Sequence, residues 1–109
     1  LGMSRGLGDV YKRQPKPGEG PSKEARENGN YDILFCADLD NGSSMHASVT
    51  GDLDPGYGST SKMIAESAIC LIQDCTDLAG GIYTPAASMG SKLISRLEAS
   101  AGLRFSEEN

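Results

Sequence analysis

The feature that most constrains the fold is a pair of alternating segments, "YDILFCADL" and "SMHASVTG", joined by "DNGS". In the first, Tyr31, Ile33, Phe35, Ala37 and Leu39 share one face and Asp32, Leu34, Cys36 and Asp38 the other, the period of two that belongs to a strand. Asn41-Gly42 tolerates the positive φ angles of a tight hairpin. In the returning segment Met45, Ala47 and Val49 alternate with His46, Ser48 and Thr50. The spacing predicts an antiparallel hairpin with one face that seeks cover.

That cover has to come from helices. Upstream, "PKPGEGPS" reads as loop. Ser22 can cap a short helix running to about Asn28, with Glu24 favouring its amino end and Gly29 ending it. Downstream, Ser59 or Thr60 is the expected cap of a helix running to about Cys75. Ile64, Ala68, Leu71, Ile72 and Cys75 recur along it at helical spacing. Ala65 and Ile69 widen the stripe, so this helix is the expected core piece, buried on more than one side. Thr84 and Pro85 suit the cap and first position of a further helix. Met89, Leu93, Leu97 and Ala101 line one of its faces with Ile94 beside them, and Gly102 stops it. "LRFSEEN" is a short terminal strand, expected to rejoin further polypeptide. The fold class is α+β: a hairpin, two packing helices and a terminal strand.

A chain of 109 residues with no Trp holds one small domain at most and has little material for a self-sufficient core. A formal charge of −5 without a long basic run argues against nucleic acid and against an electrostatic membrane anchor. Cys36, Cys70 and Cys75 are an odd count with no CxxC, which argues against a disulfide framework or a zinc site and fits a reducing, cytoplasmic setting. No apolar run approaches the about 20 residues of a membrane span, and the amino terminus has no signal-peptide core. The chain reads as soluble. Leu1 to Gln14 carry no period of 2 or 3.6. They hold three of the ten basic and one of the fifteen acidic residues, which leaves seven basic and fourteen acidic for the rest. The hexapeptide "DVYKRQ" is similar to what one reading frame of a transposon end used in sequencing-library preparation encodes. That implies a segment wholly or partly foreign to the protein, the other reading being a disordered basic tail.

The glycine-bearing loop "GDLDPGYGSTSKM" raises the question of a phosphate cradle. A Walker loop needs Gly-Lys-Ser/Thr after its first Gly and four further residues, whereas here Lys62 follows Ser61 and precedes Met63. A dinucleotide fingerprint needs a third glycine where Ser61 stands, and a parallel strand before the loop. Asp52 and Asp54 would also repel a pyrophosphate. The favoured reading is a turn closed by Pro55-Gly56 and a capped helix. The alternative is substrate contact, since a helix amino terminus can receive a carboxylate or thioester oxygen. A free phosphate site ranks last.

Other chemistry is thin. His46, the only histidine, lies mid-strand and reads as solvent-exposed before it reads as a base or metal ligand. Cys70 and Cys75, on roughly divergent helix faces, read as small core residues. Asp38/Asp40 and Asp52/Asp54 lack the EF-hand spacing and read as turn residues rather than calcium ligands. Tyr57 reads as a hydrophobic staple near Ile64, or as a proton donor.

Three segments, "PKPGEGPSKEARENG", "TGDLDPGYGSTSKMIAESAICL" and "GGIYTPAASMGSKLISRLEASAGLRF", together resemble the carboxyl-terminal portion of the saccharopine dehydrogenase-like oxidoreductases, in the trans-acting enoyl reductase branch. The specificity lies in D-P-G-Y-x-x-T-x-x-M combined with G-G-x-x-T-P-A-x-x-x-G. The resemblance implies a two-domain parent enzyme. Its amino-terminal Rossmann domain binds NAD(P), and its α+β second domain, to which residues 15–109 would belong, covers the nicotinamide, shapes the substrate pocket and allows homo-oligomers. It implies hydride transfer to an enoyl double bond in lipid or glycolipid assembly with partner synthases, in the cytoplasm or peripheral to a membrane. The cofactor-binding segment lies outside this chain, so the chain alone would bind no cofactor and be inactive. By the family pattern Asp54, Tyr57 and Thr60 would meet the substrate; no residue carries an assigned catalytic role and no metal is implied. A small non-catalytic binding module and a lipid-associated scaffold remain the alternatives.

Overall fold

The computed structural model describes residues 13–108. The expectation of a foreign or disordered leading segment therefore falls, for residues 1–12, outside the described residues. The described residues form an α+β unit, with three helices and a three-stranded antiparallel sheet among them: α1 (Lys23–Asn28), β1 (Tyr31–Asp38), β2 (Ser44–Gly51), α2 (Gly58–Gln73), α3 (Pro85–Ser100) and β3 (Leu103–Glu108).

Ser22 caps α1, its Oγ accepting from the Ala25 N–H at 3.1 Å. The hairpin forms in the predicted register, with Ile33 opposite Val49 and Phe35 opposite Ala47. Its turn differs from the expectation in one respect: only Gly42 takes a positive φ, +81°, and Asn41 does not. The Gly42 N–H donates to the Leu39 carbonyl and the Leu39 N–H to the Ser43 carbonyl, which makes a three-residue loop with a left-handed glycine at its end. Asn41 serves through its side chain instead, Oδ1 accepting from the Ser43 N–H and hydroxyl. The terminal strand also departs from expectation. β3 does not leave the chain but pairs antiparallel with β2, Val49 opposite Phe105, giving the order β1-β2-β3. The reversal that permits this is Gly102, at φ +71°, where α3 ends.

The core lies between α2, α3 and one end of the sheet. One cluster holds Cys70, Cys75 and Met89; a second holds Leu97, Ala101 and Leu103, with Val49, Met63 and Phe105 against it, and Leu93 touches both. The predicted stripe of α3 is therefore its buried face. α3 is kinked rather than continuous: Gly90 sits at φ +49° and ψ −132°, a conformation open to glycine, so the helix can turn from the first cluster to the second.

α2 corrects the reading of the core. Its buried residues are Ser59 and Cys70, while Ile64 is 70% and Ile72 76% exposed and Leu71 and Ile69 also stand out to solvent. The helix turns its small and polar side toward α3 and its apolar stripe outward, because nothing in the described chain lies over that stripe. Cys70 and Cys75 likewise do not diverge. α2 ends at Gln73, and the Cys75 N–H then folds back onto the Cys70 carbonyl at 3.1 Å, placing both thiols in one cluster. Burial there raises the Cys70 thiol above its ordinary value, with the Cys75 thiol adding to the effect.

The carboxyl end of α2 is held by α3. Arg96 reaches Asp74 through Nε and Glu66 through Nη1 at 3.2 Å, and Lys92 Nζ donates to the Asp74 carbonyl at 2.6 Å. Hydrogen bonding to the Arg96 guanidinium holds the Asp74 carboxyl below the ordinary carboxylate range. Among the described residues no helix is long and apolar enough to cross a membrane.

Candidate functional site

The loop from Leu53 to Thr60 is built on contacts between α1 and α2. The Asp54 N–H donates to the Arg26 carbonyl at 3.1 Å, and a Cβ at Gly29 would lie 2.7 Å from the Asp54 backbone, so glycine is what lets the two segments meet. From the other side Tyr31 lays its ring over Gly51, its cross-strand partner, and its hydroxyl shares a 2.7 Å hydrogen bond with the buried Ser59 Oγ. The start of α2 is thereby pinned to the start of β1.

The cap of α2 is neither Ser59 nor Thr60. Asp54 Oδ2 accepts from the Tyr57 N–H at 2.7 Å and the Gly58 N–H at 3.1 Å, and the Asp54 carbonyl accepts from the Ser59 N–H at 2.7 Å, so side chain and backbone of one residue hold the start of the helix. Ser59 is committed to Tyr31, and Thr60 Oγ1 donates backward to the Pro55 carbonyl at 2.5 Å. The bonds from Gly58 and then Tyr57 hold the Asp54 carboxyl below its ordinary value, so it is a stable anion in this position.

This geometry bears on phosphate binding. The Tyr57 and Gly58 amides already receive a carboxylate from their own chain, and a second anion at this helix start would face it across a few ångströms. The residues of this loop do not fit a nicotinamide dinucleotide.

Asp54, Tyr57 and Thr60 are thus brought into one turn, with unlike roles. Asp54 and Thr60 spend their polar atoms on the turn itself. Among the described residues no hydrogen bond engages the Tyr57 hydroxyl. Its ring lies by Gly20 rather than stapled to Ile64, which stands 70% exposed. Beside it opens a cavity of about 360 Å³ lined by Arg26, Glu27, Leu53, Tyr57, Gly58 and Ser61. Sequence reasoning passed over Arg26, the one cation among the described residues that line it. Its only local signal is a place in the last turn of α1, where a base also suits the helix dipole.

A wider trough of about 690 Å³ lies on the polar face of the sheet, lined by Asp32, Leu34, His46, Ser48 and Glu108. His46 stands opposite Cys36 on one side and Glu108 on the other. Glu108 is engaged by Ser48, whose Oγ donates to Oε1 at 2.5 Å, and no hydrogen bond reaches the imidazole from the described residues. The described residues include no group of three or more side chains able to hold a metal ion.

No protein-family model matches the chain, and no solved structure does. Curated proteins do. Over 99 residues, 89% of the chain and 23% of the relative, it is 41% identical to a Mycobacterium tuberculosis protein whose name assigns it provisionally to the trans-acting enoyl reductases. Over 90 residues, 81% of the chain and 21% of the relative, it is 38% identical to a trans-acting enoyl reductase of Mycobacterium bovis. The Mycobacterium ulcerans trans-acting enoyl reductase is 38% identical over 85 residues, 76% of the chain and 20% of the relative. The chain spans about a fifth of the length of these relatives, and the similarity to them covers 76–89% of the chain itself.

Proposed function

We propose that this chain is the carboxyl-terminal part of an NAD(P)-dependent oxidoreductase of saccharopine dehydrogenase-like type, which reduces an enoyl double bond during lipid or glycolipid assembly. The observation that carries the reading is the 41% identity, sustained over 99 residues, to a protein named for that activity. The dinucleotide is gripped by a Rossmann domain in polypeptide outside this sequence. The Asp54 carboxylate on the Tyr57 and Gly58 amides supports that division of labour, because it occupies the start of α2 where a phosphate would otherwise sit.

In this reading residues 15–109 cover the nicotinamide and shape one wall of the substrate site. Asp54 is a positioning residue: it fixes the first turn of α2 and so the place of Tyr57. Tyr57 and Arg26 bind, the hydroxyl donating to a carbonyl oxygen of the substrate and the guanidinium attracting its negative end. Thr60 braces the turn. The enzyme works in the cytoplasm, alone or as a homo-oligomer, beside the synthases that it serves and peripheral to the membrane where they act.

Titration of the 109-residue chain with NADPH tests the division. No binding is expected, and micromolar affinity would overturn it. Reading the coding sequence upstream of Pro15 tests the parentage: an in-frame strand–GxGxxG–helix segment is expected.

A further inference from the structure

We propose that the sheet does not end at β1, and that in the complete polypeptide a strand from outside this sequence pairs with β1 while further elements cover both of its faces. The proposal rests on the reading above that the chain works as part of a longer protein, and it names the surface through which it does so.

The two edges of the sheet are built differently. In an antiparallel ladder, residues alternate between bonding their neighbour and pointing their N–H and C=O away from it. The Leu39–Ser43 pair that closes the hairpin is hydrogen-bonded, so the odd residues of β1 face β2 and Asp32, Leu34, Cys36 and Asp38 turn their backbone groups outward. By the same alternation Leu103, Phe105 and Glu107 face outward from β3. There the chain supplies a blunt: Glu98 of α3 reaches the Phe105 N–H at 3.1 Å, and Arg104, Glu107 and Glu108 crowd the strand with charge. These are the devices by which proteins close an edge. β1 has none of them at its centre, where "ILFC" is apolar at four consecutive positions.

That run decides which kind of strand β1 is. A strand with one face in water alternates, whereas one covered on both faces reads as a continuous apolar run. Ile33, Leu34 and Phe35 are 45%, 61% and 54% exposed, so both faces stand open although each presents a large apolar side chain at the centre of the strand. An eight-residue edge of this composition is a template for another strand.

Three observations select the occupant. The relatives are more than four times longer than the part matched here, which leaves ample polypeptide to supply a strand and its flanking layers. A second copy would serve poorly: of the two symmetric pairings with greatest overlap, the one centred on Phe35 sets Asp32 opposite Asp38 at both ends, where like charges are destabilising, and the one centred on Leu34 leaves Asp38 outside the paired residues. Such a pairing would also extend the sheet without covering either face of β1.

Hydrogen–deuterium exchange on two proteins tests the proposal, with the 109-residue chain beside the full-length Mycobacterium tuberculosis relative. In the short chain the Leu34 and Cys36 amides are expected to exchange at close to unprotected rates, and in the relative the aligned strand is expected to exchange at least about 100-fold more slowly. Fast exchange of that strand in the relative would overturn the proposal. Protection of Leu34 and Cys36 in the short chain would also overturn it, and sedimentation as a dimer would then identify a second copy as the occupant. NADPH binding to the same relative is measured alongside: its absence with the strand protected would sink the oxidoreductase reading and leave the strand assignment standing.

Discussion

α2 and α3 are the same length, sixteen residues, and both carry an apolar stripe, yet they use it in opposite ways. α3 turns Met89, Leu93 and Leu97 onto the sheet and α2, and that face is the core. α2 turns Ser59 and Cys70 inward and holds Ile64, Leu71 and Ile72 in water. An amphipathic pattern declares which side of a helix wants cover; it does not say whether the cover is present in the same chain. The small inward side of α2 lets α3 approach closely, and its outward side is uncovered among the described residues.

The largest test of this contrast is a pair of truncations. Leu97→Ala is expected to cost about 2–4 kcal/mol in urea unfolding, since the side chain leaves a cavity in a closed cluster. Ile72→Ala should change stability by less than about 0.5 kcal/mol, as an exposed position does. Equal losses would break the comparison and mean that the α2 stripe is covered in solution. Gly90→Ala probes how α3 serves two clusters; a non-glycine at that φ and ψ is expected to cost about 1–3 kcal/mol, and an unchanged midpoint would show that a straight helix packs as well.

The joint substitution Ile64→Glu with Ile72→Glu sharpens the contrast from the other side. It should lower the fluorescence of a hydrophobic dye on the short chain and leave the unfolding midpoint nearly unchanged; a large fall in stability would place the stripe inside a core. The smallest effect is electrostatic. The Asp54 and Asp74 carboxyls both lie below their ordinary value of 3.8 in the folded chain. Their stabilisation is therefore fully present above that pH and is lost as the pH falls through the folded values. Asp54→Asn should flatten the acid limb of a stability–pH curve, and a limb of unchanged slope would deny the cap its charge.

What could be read from the sequence followed from where the partners lie. The α3 stripe was legible because Val49, Leu103 and Phe105, which it meets, belong to the same chain. The hairpin register was legible because alternation and an Asn-Gly turn agree, although the turn itself uses only Gly42 in the left-handed region. The convergence of Cys70 and Cys75 was not legible, since it depends on the helix ending two residues before Cys75. The role of Asp54 was hidden for a different reason. Ser59 and Thr60 offered commoner caps nearer the apolar run, and only the Tyr31 hydroxyl, 28 residues away in sequence, shows why Ser59 is spent elsewhere. The exposure of the α2 stripe and of the "ILFC" edge was not legible, because periodicity marks apolar faces and not whether the chain lays anything over them.

Arg96 and Lys92 grip the far end of α2, about 24 Å along the helix from Tyr57. With α1 and β1 fastened to the near end, the helix behaves as a stiff rod bolted at two points. A disturbance at the tyrosine is carried along the whole rod, so Tyr57→Ala is expected to shift the Lys92 and Arg96 resonances at the opposite pole.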